Sequence, residues 1–197
     1  MTRFTSKRND VIALGGIVLK RARSAAMASQ EAEILQGLRA HGVAVPEVIA
    51  RRGDVLVLER LPGEPLPDWI ERGDYDPDAL AKALCDWLGA FYAAMPDEQI
   101  RGDVNGRNFL SAVPQGQSGS YVIYGVDFEE RCYGPRARDA GRLAAFIETY
   151  RTREPAKQEV LAESFMRAFA ARFDCTLEDI LAERELEYAA MHQRRKA

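Results

Sequence analysis

The sequence predicts an α+β fold in two unequal parts, a small sheet carrying one helix and then a mainly helical remainder. Three observations predict it. Short apolar runs with strand character, punctuated by glycine turns, fill the first 60 or so residues. A connector with three prolines and a glycine, "LPGEPLP", follows at 61–67. Beyond it, apolar residues recur at helical spacing almost to the end of the chain. The parts divide into 1–61 and 62–197.

Each element has its own signal. "DVIAL" and "IVLKRA" read as two strands joined by a Gly15-Gly16 hairpin turn. From Ser24 to His41 the pattern is helical: Ala28, Ala32, Leu35 and Leu38 share one face, Glu31 and Glu33 point elsewhere, and Gly42 follows as a stop. "VAVPEVIA" and "DVLVLERL" predict two more strands around a turn at Arg52-Gly53-Asp54. The connector at 61–67 discourages both helix and strand. Asp76-Pro77 starts a helix to about Ala94, with Leu80, Leu84, Trp87, Leu88 and Phe91 on one side. A polar loop and two short strands come next, then helices near 136–152, 156–173 and 177–192, the last capped by Thr176 with Asp179 three residues on. Tyr92, Trp69 and Trp87 are expected in the core.

A chain of 197 residues suits one domain, and 47% hydrophobic with 29% charged residues is ordinary for a soluble protein. A net charge of -3 argues against a nucleic-acid-coating role. Three cysteines without a CxxC pair and two distant histidines give no zinc signal and no histidine triad. No signal-length apolar core and no run of 18 apolar residues is present, so a cytoplasmic location without membrane or nucleic-acid partners is expected. The basic tail Arg194-Arg195-Lys196 reads as a solvated helix end.

Chemistry concentrates in "IRGDVNGRNFL" at 100–110, where Asp103 and Asn108 stand at the two ends of one tight loop. The apolar run 121–126 then delivers a second carboxylate, Asp127. Two carboxylates and an amide oxygen suit Mg2+, a hard ion that keeps part of its coordination for water and phosphate. Lys20 offers a point positive charge, and Glu31, eleven residues on, could pair with it. Each residue also has a plainer explanation. A lone Asp-x4-Asn is usually a turn bonding its own backbone. Lys20 alone is a solvated strand end, Glu33 competes with Glu31, and Asp127 could merely open a turn. Asp139 fits a structural rather than a catalytic role. Glu129 and Glu130 are solvated or attract a cationic substrate, and solvation is the simpler expectation.

"IRGDVNGRNFL" resembles the catalytic loop of the protein-kinase-like superfamily, in the HGDxxxxN form of aminoglycoside and choline phosphotransferases and of small RIO- and Kdo-kinase-like enzymes. "GVDFEE" resembles the metal-binding segment, "IVLKRA" the lysine strand, and "SQEAEILQGLRAHGVAVPEVI" the helix with its glutamate and the strand after it. "DVLVLERLPGEPL" resembles the nucleotide-binding hinge, and "GPRARDAGRLAAFI" the segment holding a buried aspartate, here Asp139, that braces the catalytic loop. These segments keep the family's order from about residue 11 to 150. The resemblance implies a bilobal protein-kinase-like fold with a truncated β-rich N-lobe and a small helical C-lobe.

The resemblance also implies roles. Asp103 would be the base or orienting group for the acceptor hydroxyl, Asn108 and Asp127 would hold Mg2+, and Lys20, paired with Glu31, would contact the ATP phosphates. Main-chain groups near Glu59 and Leu61 would bond adenine. The activity implied is ATP-dependent transfer of the γ-phosphate to a hydroxyl of a small molecule or sugar. Two rivals remain open: a small RIO-like Ser/Thr protein kinase acting on a protein hydroxyl, favoured by the two-helix ending after residue 153, and a pseudokinase or nucleotide-binding scaffold. Arg101 stands where the family has His, and Asn105 where protein kinases have Lys. Almost no chain precedes Val11 to build a first strand and a glycine-rich loop, which leaves room for a partner chain to complete the N-lobe.

Overall fold

Gly15 and Gly16 turn a hairpin whose two arms form the middle of the N-terminal sheet in the computed structural model of the protein. The structure describes residues 2–4, 10–96, 98–114, 119–129 and 132–196, with the backbone alone for 2–4, 195 and 196. The strands of this sheet are β1 (Thr2–Phe4), β2 (Asp10–Leu14), β3 (Ile17–Arg21), β4 (Val48–Arg52) and β5 (Val55–Glu59), in the order β1-β2-β3-β5-β4, every adjacent pair antiparallel. β1 is a correction: a first strand does precede Val11, with Phe4 opposite Val11 and Thr2 opposite Ala13. Three residues are too few to show an alternating pattern in sequence, and partner pairing supplies what local propensity lacks.

Helix α1 (Ala25–Ala40) lies between β3 and β4 in the chain. Ser24 caps it by accepting the Met27 N–H at 3.2 Å. Ala28, Ala32, Leu35 and Leu38 are buried as their spacing predicts. Glu31 is not on an outward face: it is 1% exposed, whereas Glu33 is exposed.

The 61–67 connector holds more structure than expected. β6 (Glu64–Pro65) pairs with a later strand, and α2 (Leu66–Arg72) begins directly after it. Pro67 falls in the first helical turn, where its missing N–H leaves no bond unmade, so the prolines shape this segment without excluding order. Helix α3 (Pro77–Ala94) starts at Asp76, whose Oδ1 accepts the Ala79 N–H at 2.8 Å, and buries Leu80, Leu84, Trp87, Leu88 and Phe91.

The chain then forms β7 (Gln99–Ile100), β8 (Phe109–Ala112), β9 (Val122–Gly125) and β10 (Cys132–Tyr133). β8 pairs with β6 and β9, while β10 pairs with β7. Helices α4 (Arg136–Thr149), α5 (Pro155–Arg172) and α6 (Leu177–Lys196) complete the fold. Thr176 Oγ1 accepts the Asp179 N–H at 3.1 Å and Asp179 returns the bond to the Thr176 N–H at 2.8 Å, a reciprocal cap at α6.

One apolar core runs from Leu35 and Leu56 through Trp87, Phe91 and Phe109 to Phe165 and Ile180. Across it, the Ala44 carbonyl accepts both Trp87 Nε1–H at 2.9 Å and the Gly125 N–H at 3.0 Å, tying the segment before β4 to α3 and β9. Among the described residues no helix is long and apolar enough to cross a membrane. Glu130, most of the "PQGQSGS" loop and the side chains of Arg195 and Lys196 lie outside the described residues.

Candidate active site

Lys20 is the centre of charge. It sits in β3 opposite Val11 and Leu56, and its side chain is only 6% exposed. Burial of an ammonium is unfavourable without partners, and it has three. Glu31 Oε1 from α1 lies at 2.7 Å, Asp127 Oδ1 at 2.6 Å and Glu129 Oε1 at 3.1 Å. Burial by itself would lower the Lys20 pKa, but the charges and hydrogen bonds of Glu31 and Asp127 outweigh it, and the pKa is raised. Burial pushes Asp127 the other way, yet Lys20 prevails and its carboxyl lies below the usual range. At Glu129 burial wins, with Asp127 adding to it against Lys20, and its pKa is raised.

Glu31 Oε1 also accepts the Phe128 N–H at 3.1 Å, so one carboxylate fixes both the lysine and the segment after Asp127. Asp127 itself adopts φ 65°, a left-handed conformation that Asp tolerates better than most residues. Arg101 holds that segment from beneath. It is 3% exposed, donates from Nη2 to the Val126 and Asp127 carbonyls at 2.6 and 2.7 Å, and sets its guanidinium 4.2 Å from the Phe128 ring centre. Burial lowers the Arg101 pKa, opposed first by Asp103 and then by Asp127, Asp139 and Glu31.

The loop bearing Asp103 is suspended by side chains of α4 and of Tyr150 just after it. Asp139 of α4, fully buried, accepts the Arg101 N–H at 2.7 Å and Tyr92 Oη–H at 2.9 Å on one oxygen, and the Gly102 N–H at 2.8 Å on the other. Burial pushes its pKa up against the pull of these donors. Gly102 has φ 75°, and a Cβ there would meet Cys132 Sγ, so the turn before Asp103 needs glycine on both counts. Tyr150 Oη accepts the Gly106 N–H at 2.8 Å and donates to Asn105 Oδ1 at 3.1 Å; its pKa is pushed up to about 12 by burial. Arg142 bonds the Gly102 carbonyl at 3.2 Å.

Of the residues singled out in the sequence, Lys20, Glu31 and Asp127 meet at this centre, and Asp103 and Asn108 belong to the loop joined to it. Asp103 is exposed on the loop, and Asn108 closes it, with its Nδ2–H on the Asp103 carbonyl at 3.3 Å. The Asn108 carbonyl receives the Val126 N–H at 2.9 Å, which joins the loop to the strand end carrying Asp127. Asn108 therefore has Oδ1 as the acceptor to offer a cation, and Asp127 keeps 38% of its side chain accessible. An amide oxygen and a carboxylate are hard donors that fit Mg2+, which takes few protein ligands and fills its sphere with water and phosphate. Among the described residues no three His, Cys, Asp or Glu side chains form a preset metal cage, and the fit rests on Asn108 and Asp127.

Glu59 and Leu61 stand apart from this cluster, at and after the end of β5. The Glu59 N–H goes to the Glu47 carbonyl at 2.9 Å, and its carboxylate holds Arg39 at 3.0 Å and the Glu47 N–H at 3.1 Å. Any bond from Glu59 to a base would come from its carbonyl. Sequence reasoning missed Glu129, whose expected solvation is corrected by its 10% exposure and its contact with Lys20. It missed Tyr150 too. No local signal marks either residue, because both act across the chain. In the sequence Arg101 marks only a departure from the family's His.

A sequence model of the phosphotransferase enzyme family matches residues 6–103, from the N-terminal sheet to Asp103. The EKC/KEOPS complex subunit BUD32 of Encephalitozoon cuniculi (strain GB-M1) is 32% identical over 99 residues, 50% of this chain and 44% of that protein. The chain thus spans less than half the length of the curated relative it matches. Among solved structures, the gentamicin complex of the aminoglycoside phosphotransferase APH(2")-IIa aligns over 95% of this chain and 80% of that one, with TM-score 0.63 and 11% identity. WaaP in complex with acyl carrier protein aligns over 98% and 87%, with TM-score 0.59 and 18% identity. The Plasmodium vivax ethanolamine kinase aligns over 94% and 70%, with TM-score 0.59 and 11% identity. At such identities these likenesses are of fold. The chain is thus similar to the phosphotransferase enzyme family over residues 6–103 and shares the fold of aminoglycoside and ethanolamine kinases along nearly its whole length.

Proposed function

We propose that the chain is an ATP- and Mg2+-dependent phosphotransferase that moves the γ-phosphate to a hydroxyl of a small molecule or sugar. The observation that carries this is the buried Lys20, held by Glu31 at 2.7 Å and by Asp127 at 2.6 Å. On this reading Lys20 neutralises nucleotide phosphates and Glu31 keeps it extended towards them. Asp103 orients the acceptor hydroxyl and takes its proton as the new ester bond forms. Asn108 and Asp127 would hold Mg2+, which supplies charge neutralisation at the phosphates. The Glu59 carbonyl and the Leu61 N–H would meet the adenine edge. The division after Leu61 then puts the lysine and its glutamate in one lobe and the reacting groups in the other. Positioning and electrostatic stabilisation supply the catalysis. Asp127→Ala should abolish Mg-ATP turnover and Asp103→Asn should cut it at least a hundredfold, both scored by formation of ADP. Unchanged ATP consumption in the Asp127 variant would end the assignment.

A second reading is favoured by one observation, the 32% identity to a protein described as a complex subunit. On it, the acceptor is a protein hydroxyl, or the chain works inside an assembly. Labelled ATP separates the two: phosphate appearing on this chain or on a generic basic protein supports the second reading, and phosphate appearing only on small alcohols supports the first.

A further inference from the structure

Lys20 donates hydrogen bonds to Glu31 and Asp127 and forms an ion pair with Glu129. An ammonium has three N–H donors, and three carboxylates surround this one at 2.7, 2.6 and 3.1 Å. Two of the three have further duties. Glu31 also binds the Phe128 N–H, and Asp127 is the carboxylate assigned to the metal. Glu129 has no part in the proposed transfer, yet it is kept in place. Its side chain is 10% exposed, and its carbonyl accepts Gln30 Nε2–H of α1 at 3.5 Å.

We propose that Glu129 is an internal competitor of the nucleotide: its carboxylate pairs with the face of the Lys20 ammonium that a phosphate oxygen would use, so phosphate binding must displace it. This rests on the phosphate-binding role assigned to Lys20 above. Carboxylate and phosphate oxygens are alternative acceptors for the same donor, and both are anionic, so they cannot share it without repulsion. The contact to Glu129 is the longest of the three, which makes it the one to yield first. Nucleotide without a divalent ion meets three carboxylates around one ammonium and is opposed most strongly.

The test is calorimetric titration with ADP, in EDTA and in millimolar Mg2+, on wild type, Glu129→Gln and Glu129→Ala. The Gln variant keeps the shape and removes the charge, so it guards against a packing defect in the Ala variant. Metal-free ADP affinity should rise about tenfold in Glu129→Ala and by less in Glu129→Gln, the size of one charge-assisted bond. The gain should vanish when Lys20→Met is added to either. An unchanged or weaker metal-free affinity in both single variants, or a gain that survives Lys20→Met, overturns the proposal. So does weaker Mg-ADP binding in Glu129→Gln, which would make Glu129 a metal ligand. Wild type that binds no nucleotide even with Mg2+ would instead overturn the phosphotransferase reading and this inference with it.

Discussion

Asp139 shows how much a single side chain can decide. Three donors converge on its two oxygens, the Arg101 and Gly102 N–H groups and Tyr92 Oη–H. The two N–H groups belong to the residues just before Asp103, so the carboxylate sets where the loop begins. In Asp139→Asn, the amide nitrogen must face one of these donors, leaving a buried N–H unpaired. The expected loss is about 2 kcal/mol in urea unfolding, with Tyr92→Phe smaller at about 1 kcal/mol. Stability of Asp139→Asn within about 0.5 kcal/mol of wild type would contradict the bracing role. Arg101 is the complementary case: the same residue gives its backbone to Asp139 and its guanidinium to the Val126 and Asp127 carbonyls. It couples the two halves of the site in a way that the missing histidine did not foretell. At this scale the sequence was legible where a motif fixes spacing, as in the pairing of Lys20 with Glu31 and the loop that Asn108 closes on Asp103. It was illegible where one side chain folds onto a distant one. Glu129 follows Phe128 like any strand-end glutamate, and its contact with Lys20 exists only once β3, α1 and β9 are assembled.

Helices α4 and α6 set the next scale. Gly141 lies where they cross, and a Cβ there would fall 2.6 Å from the Arg184 nitrogen and 2.7 Å from the Ile180 carbonyl oxygen. Backbone atoms cannot yield as a side-chain tip can, so the helices touch because residue 141 is glycine. Gly141→Ala gains helix propensity but should still lose about 1–3 kcal/mol by forcing α6 away. A thermal melt at or above the wild-type midpoint would refute the contact. The shift should reach the site as well, because Glu187 of α6 pairs with Arg142, which bonds the Gly102 carbonyl. Periodicity and capping residues made the long helices readable, Thr176 and Asp179 among them. Elements of two or three residues were not. β1, β6, β7 and β10 owe their existence to partner strands rather than to their own composition, and the prolines of 61–67 shaped an edge strand and a helix start instead of preventing them.

Across the whole molecule, the sheet and the helical part share a core through Trp87 and the Ala44 carbonyl, and charge is gathered at one place between them. Lys20, Glu31 and Asp127 come from β3, α1 and the end of β9, three elements whose meeting requires the complete fold. The core is thus the precondition for the site, and binding at the site must feed back on stability by mass action. A nucleotide at a hundred times its dissociation constant should stabilise the folded chain by ~2.7 kcal/mol. If this convergence binds a magnesium nucleotide, thermal unfolding with and without millimolar Mg-ADP, on wild type and Asp127→Ala, reads that binding out. The midpoint should rise with Mg-ADP for wild type and stay flat for the variant. A wild-type midpoint indifferent to millimolar Mg-ADP, or an equal rise in both proteins, would contradict it.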